Sequence, residues 1–220
     1  DIKMDLHENL KGKTVVITGG SGILCREFAY AYAKQGMNVA VLGRTLSKLE
    51  EVRDKINELG GNGLAVVCDV VDKDSVINAK KIVNDTFGKV DILVNGAGGN
   101  HPKGTTTKEY FEKGDIENPN VVSFFDMSKE NFNYVFDLNI VGTLIPTQVF
   151  IVDMLDNPGA NVLNIASMSS YHAITKVSAY CAAKAAISNF TEWLAILQKA
   201  VSESTLLHRA GLKQYRIKHF

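Results

Sequence analysis

The sequence predicts an α/β domain with a doubly wound parallel sheet, and three observations carry that expectation. Short apolar, often β-branched runs alternate with amphipathic stretches of helical period. A glycine-rich corner joins the first run to the first amphipathic stretch. Later runs stop at Gly43, Asp69 and Asn95, where a helix or loop takes over.

The segment Lys13–Gly36, KTVVITGGSGILCREFAYAYAKQG, organises the rest. Val15, Val16 and Ile17 suit a strand buried on both faces. Gly19, Gly20 and Gly22 follow at once, and Phe28, Ala29, Tyr32 and Ala33 recur at helical spacing before Gly36. Glycines let a phosphate approach main-chain N–H groups, and the helix points the positive end of its dipole at the same place. The corner is therefore an anion site suited to a dinucleotide pyrophosphate, a reading that the strand before it and the helix after it support.

Further strands are expected over Asn38–Leu42, Leu64–Cys68, Val90–Val94 and Asn161–Ala166, and helices over Leu46–Leu59, Lys73–Phe87, Ser128–Asp153 and Ala179–Lys199. Ser128 caps the long helix with Asn131 three residues on, and Pro146 should kink it or end its first part. Gly99–Met127 breaks the rhythm and is too long for an ordinary connection, which suggests a lid or a flexible insertion. The expected organisation is an N-terminal extension over 1–12, one domain over 13–199 with the insertion 99–127, and a tail over 200–220.

Composition narrows the class. With 45% hydrophobic residues and no long uncharged apolar run, the chain reads as a globular domain with no membrane partner. Its 24 basic and 24 acidic residues are interspersed, so nucleic-acid binding has no electrostatic support. The polar N-terminal segment is unlike a signal peptide. Cys25, Cys68 and Cys181 are far apart and odd in number. They read as buried small residues in a reducing cytoplasm, and no metal site is expected.

Tyr180-Cys181-Ala182-Ala183-Lys184 places a phenol and an ammonium on one helix face. A phenol working as an acid or base near neutral pH needs its anion stabilised, which a lysine one turn away can do. Ser167 lies just past the fifth strand, where doubly wound sheets place ligands; Asn139 precedes it in a helix, and Asn95-Gly96-Ala97-Gly98 follows the fourth strand.

Together these residues resemble the classical short-chain dehydrogenase/reductase family over about Gly12 to Leu197. The resemblance implies a Rossmann-type fold and hydride transfer between a nicotinamide cofactor and a carbonyl or alcohol. By it Tyr180 exchanges the proton, Lys184 stabilises the phenolate and holds the nicotinamide ribose, Ser167 bonds the reacting carbonyl, and Asn139 supports a water. Thr18, Gly19, Ser21, Gly22 and Ile23 match its phosphate corner, Asp69 and Val70 its adenine contacts, and Asn95, Ala97 and Gly98 its ribose-side turn. The corner departs from the family's TGxxxGxG: it is one residue shorter between glycines, with Leu24 in place of the last. At the end of strand two, Gly43 leaves room and Arg44 can grip a 2′-phosphate, which favours NADP over NAD.

Within the family, TGGSGILC, the insertion from Gly98 to Lys103, and Phe136–Asn139 resemble the D-mannonate oxidoreductases, which reduce D-fructuronate. That likeness implies a sugar-acid substrate, with His101, Lys103 and Ser167 as candidate contacts and Tyr171 and His172 nearby. A 3-oxoacyl or steroid reductase, which would want a more apolar wall, and a non-catalytic dinucleotide-binding protein are the alternatives. The family's usual homotetramer or dimer is expected, with the two long helices between subunits. After Leu197 the family's Asn-Ala-x-x-Pro-Gly turn and final Asp-Gly-Gly are not found, so the sheet is expected to end at strand five.

Overall fold

The computed structural model describes residues 7–155 and 157–202, with side chains to 196. The tail expected over 200–220 lies outside the described residues beyond 202, as do the first six residues of the expected N-terminal extension. The element order is β1 (Thr14–Thr18), α1 (Ile23–Lys34), β2 (Asn38–Gly43), α2 (Leu46–Glu58), β3 (Asn62–Val67), α3 (Lys73–Phe87) and β4 (Ile92–Asn95). It continues through α4 (Lys129–Phe136), α5 (Gly142–Phe150), β5 (Asn161–Asn164) and α6 (Ser178–Ser202). Five parallel strands pair in the order β3-β2-β1-β4-β5. The order reverses beside β1, and that switch point between β1 and β4 opens a crevice at the strands' carboxyl ends.

Alternation along the buried strands builds two cores. Val15, Ile17, Val39, Val41, Ile92 and Val94 face Ala29 and Ala33 of α1 and Leu49, Val52 and Ile56 of α2. Val16, Ala40, Leu42, Leu93 and Val162 face Val76, Ala79 and Val83 of α3, Phe150 at the end of α5 and Met154 just beyond it. The second core is pinned by Lys80, whose ammonium lies 2.7 Å from buried Asp153, while the other oxygen of that carboxylate accepts the Val90 amide at 3.3 Å. The helical run Lys129–Met154 is apolar and long enough to cross a bilayer, yet here its inner residues belong to this core.

Three expectations shift. Strand three runs over Asn62–Val67, because pairing Asn38 with Asn62 and Gly43 with Val67 sets its ends; apolarity alone placed it two residues later. Strands four and five begin or end closer to the sheet centre than their apolar runs. The expected helix Ser128–Asp153 is interrupted, with Ser128 capping at the Asn131 amide as predicted. Its break is a π turn over Asp137–Val141, while Pro146 lies inside α5. A proline ring crowds the carbonyl four residues back, here Gly142, so widening the turn just upstream accommodates it.

The segment after β4 forms short 3-10 turns at Pro102–Gly104, Lys113–Asp115 and Phe124–Asp126. Lys108 ties it together by contacts of 2.7 Å to Asp115 and 2.6 Å to Glu112. The Thr106 amide fastens it to the Lys176 carbonyl at 2.9 Å.

Candidate functional site

A cleft of about 420 Å³ opens over the carboxyl ends of β1, β2 and β4. Its walls include Gly19, Ser21, Gly22, Ile23, Arg44, Asp69, Val70, Ala97 and Gly98, all expected there. Gly22 caps α1 without a side chain, so the first-turn N–H groups face the cleft and are open to an anion. Gly19 sits at φ +63°, and a Cβ there would lie 2.9 Å from the Ala97 backbone; only glycine lets the corner close against the end of β4.

Thr18 of the expected phosphate corner and Asn95 of the ribose-side turn lie beneath the cleft and not on its wall. Thr18 is fully buried, and its Oγ1 accepts the amides of Gly96 and Ala97, both at 3.1 Å. The Asn95 amide donates to Thr147 Oγ1 at 2.9 Å and Asn164 Oδ1 at 2.8 Å, beneath the cleft. Each is one residue short of the floor, where strand alternation turns a side chain into the frame. Leu24 is exposed, so the close-packing position falls to Cys25, whose Sγ fills the space where Gly96 lacks a Cβ. Burial pushes the Cys25 thiol up to about 11, with the Lys184 charge pulling the other way. All three cysteines are free and buried.

Lys48, Thr45, Cys68, Leu138 and Ile165 also line the cleft and were not singled out from sequence. Lys48 lies one turn beyond Arg44, at the start of α2, and that spacing was the available signal. Arg44 and Lys48 together bring two cations to one wall.

Asn139 and Lys184 converge on Gly98, which lines this cleft, with Tyr180 beside Lys184 on α6 and Ser167 in the turn after β5. The π turn carries Asn139, fully buried, whose side chain clasps residue 99: Nδ2 donates to the Gly99 carbonyl at 2.8 Å and Oδ1 accepts its amide at 3.1 Å. Nδ2 also donates to the Val135 carbonyl at 2.8 Å. From α6, Lys184 reaches over the sheet and donates to the Ile165 carbonyl at 2.8 Å. A Cβ on Gly98 would stand 2.6 Å from Asn139 Oδ1 and 3.2 Å from Lys184 Nζ, so both groups close on one glycine. Lys184 is 5% exposed, and burial brings its ammonium down to about 8. Tyr180 is half-buried on the same face, with the Lys184 nitrogen 5.8 Å from its ring centre. Ser167 begins the turn after β5, and its Oγ accepts the Ser169 hydroxyl at 2.9 Å and the Ser169 amide at 3.2 Å.

The two candidate substrate residues of the insertion do not line this cleft. His101 Nδ1 accepts the Lys103 amide at 3.2 Å to cap a turn, its ring lies 4.7 Å from that of Tyr134, and Lys103 is exposed. His172 is exposed, and Tyr171 lines a separate cavity of about 530 Å³ with Thr106, Phe124, Lys176, Cys181 and Ala185. With about 3.6 residues per turn, Cys181 and Ala185 lie roughly 60–140° round α6 from Tyr180 and Lys184, so this cavity flanks their face.

A family model described as short chain dehydrogenase matches residues 13–200. The chain belongs to the short-chain dehydrogenase family. This member is 47% identical over 192 residues to an uncharacterised oxidoreductase, UxuB, of Bacillus subtilis, covering 87% of the chain and 67% of the relative. It is 43% identical to an uncharacterised oxidoreductase of Haemophilus influenzae over 86% of the chain and 66% of the relative. A Haemophilus structure with bound NAD, provisionally assigned as a D-mannonate oxidoreductase, superposes with a TM-score of 0.84 at 41% identity. That match covers 88% of this chain and 68% of the other. An NAD⁺-bound xylitol dehydrogenase superposes at 0.73 with 26% identity, covering 85% and 65%. This short-chain dehydrogenase thus spans about two thirds of the length of these relatives.

Proposed function

We propose that this chain forms the dinucleotide-binding and catalytic part, over 13–199, of a reductase acting on a small polar carbonyl, best matched by a sugar acid of the D-fructuronate/D-mannonate kind. The observation that carries the reading is the convergence of Asn139 and Lys184 on Gly98, with Tyr180 one turn before Lys184 and a glycine corner packed against neighbouring Ala97 in the same cleft. The likeness to the Haemophilus structure favours the sugar acid over a steroid or an acyl chain.

The cleft fits a nicotinamide dinucleotide: open N–H groups at α1, a glycine floor, and a lysine beside Gly98. When bound, that group supplies or receives the hydride. Tyr180 delivers the proton to the substrate oxygen, so no alkoxide is left uncompensated. Ser167 Oγ offers its hydrogen to the same oxygen, and the Ser169 hydroxyl that donates to Ser167 leaves that hydrogen free for it. Lys184 supports the phenolate with its charge, and Asn139, by clasping residue 99, fixes the turn between cleft and lysine. Arg44 and Lys48 favour NADP, since two cations match a 2′-phosphate and nothing acidic stands at Gly43.

The groove formed by Ile140, Leu144, Ala186, Phe190 and Trp193, with Trp193 54% exposed, supports a second copy packing on α5 and α6. Light scattering of Trp193→Ser, expected to lower the mass of the assembly, tests that point. For the activity, loss of reduced-cofactor absorbance is followed with fructuronate, a ketose, a 3-oxoacyl thioester and a steroid. Turnover of fructuronate, lost in Tyr180→Phe, supports the reading; dinucleotide binding without turnover of any of the four sinks it. Arg44→Ala/Lys48→Ala should raise the KM for NADPH about tenfold or more while leaving that for NADH nearly unchanged.

A further inference from the structure

The structure assigns a positioning role to a polar chain, buried at Thr147 and Asn95 and half-buried at Asn164 and Thr191, that joins α5 to α6 through the sheet. It rests on the reading of Tyr180 and Lys184 as the working pair. Asn95 sits at its centre and donates both amide hydrogens, to Thr147 Oγ1 at 2.9 Å and to Asn164 Oδ1 at 2.8 Å. From Thr147 the chain continues to the Thr143 carbonyl at 2.7 Å, and Thr143 Oγ1 donates to the Asn139 carbonyl at 2.8 Å. On the other side Asn164 Nδ2 donates to Thr191 Oγ1 at 2.9 Å, and Thr191 donates to the Ile187 carbonyl at 2.7 Å.

Every donor points outward from Asn95, so each partner's role is fixed. Both threonine hydroxyls give their hydrogen to a helix carbonyl and can only accept from an amide. The central members are almost wholly enclosed, with Asn95 and Thr147 each 2% exposed. A break there leaves a polar group without water to replace its partner.

What the chain positions follows from helix phase. Thr191 lies two turns beyond Lys184, so Tyr180, Lys184, Ile187 and Thr191 form one stripe facing β5. The strand end holds that stripe at two points: the Ile165 carbonyl on Lys184 and the Asn164 amide on Thr191. The first tie uses the working lysine itself. The second uses none of the chemistry and sets the rotation and height of α6 over the cleft. Through Asn95 the same amide links to the helix bearing Asn139, so the spacing of Asn139 and Lys184 about Gly98 is set by side chains that never touch the reacting groups.

The test compares Thr191→Val, which matches the shape but cannot accept the amide, with Thr191→Ser and the unaltered chain. Two quantities are read: kcat and the cofactor KM across pH, and the pH midpoint for reductive methylation of Lys184, followed by mass spectrometry and independent of turnover. Thr191→Val should lower kcat roughly tenfold or more with the cofactor KM within about twofold, since a misplacement near 1 Å costs about a hundredfold. It should also move the methylation midpoint by about half a pH unit or more, and Thr191→Ser should restore both. A Thr191→Val protein with unaltered kcat, pH profile and methylation midpoint overturns the proposal, whatever its melting temperature. Should that variant not fold, Thr147→Val against Thr147→Ser puts the same question from the α5 side. If the unaltered chain turns over no carbonyl, the reading of the site fails by itself, and the methylation midpoint still decides the role of Thr191.

Discussion

Replacing Gly98 by alanine probes the crowded point of the site. Its φ lies outside the left-handed region, so the substitution adds no backbone strain, and the whole effect comes from one methyl group. That methyl would stand 2.6 Å from Asn139 Oδ1, about 0.7 Å inside ordinary contact, and 3.2 Å from Lys184 Nζ. Lysine can yield at its flexible end. Asn139 cannot easily do so, being fully buried with three hydrogen bonds to Gly99 and Val135. Either its amide turns and leaves buried groups unpaired, or the 98–99 backbone lifts off the cleft floor. One or two lost bonds with an unpaired buried amide cost about 2–4 kcal/mol. For a domain of this size that lowers Tm by roughly 4–16 °C. Displacing Lys184 and residue 98 by about half an ångström or more should lower kcat about 10- to 100-fold. Differential scanning fluorimetry and reduced-cofactor absorbance read the two effects. Gly114→Ala is the control: no atom lies within 4 Å of its added methyl, so both quantities should stay put. A Gly98→Ala protein that melts and turns over like the unaltered chain refutes the argument that these groups converge on that glycine.

Other expectations are simpler to state. Tyr180→Phe should reduce kcat by about a thousandfold or more while dinucleotide binding, read by calorimetry, is retained. Lys184 carries a pH signature: folding brings it from 10.5 to about 8, so the unfolded chain holds the extra proton between those values. Its contribution therefore costs stability below about pH 8 and is relieved as pH rises towards 10.5. Lys184→Met should accordingly raise Tm at pH 7 and flatten its rise between pH 8 and 10.5 relative to the unaltered chain; an unchanged slope counts against the buried charge. Asp153→Ala removes the carboxylate beside the Lys80 ammonium, which keeps the Val149 carbonyl at 3.1 Å, and takes the acceptor from the Val90 amide, so urea denaturation should show a loss of about 3 kcal/mol. Thr18→Val removes the acceptor of two amides just past the end of β4, and should lower the unfolding free energy read from urea denaturation by about 2 kcal/mol.

The parallel sheet was legible because its central strands β1, β2 and β4 are buried on both faces and so read as unbroken apolar runs, while the helices between them keep a separate period. Their ends were less so. Strand three begins at Asn62 because backbone pairing with Asn38 does not need an apolar side chain, and nothing local announces that pairing. The helix was expected to break at Pro146, yet the ring sits inside α5 and the irregular turn lies at Asp137–Val141, just before the Gly142 carbonyl that the ring crowds. That displacement is functional in its result: it puts Asn139, and no neighbour, over residue 99. The cleft residues show the same limit at single-residue scale. Gly19 and Arg44 lie on the wall, while Thr18 and Asn95 are turned under it by strand alternation, a phase that a motif's spelling does not record. Lys48 was hidden for the converse reason: whether a residue one turn into a helix faces a cleft depends on how that helix is rotated against the sheet, which Leu49, Val52 and Ile56 decide by burying the other side. The short corner between Gly19 and Gly22 was met by an exchange across space. Cys25 brings its sulfur to the edge of the sheet, and Gly96, just past the end of β4, gives up the volume it needs. A glycine missing from the helix is thus matched by one just past the end of β4, and the helix still reaches the crevice with its N–H groups forward.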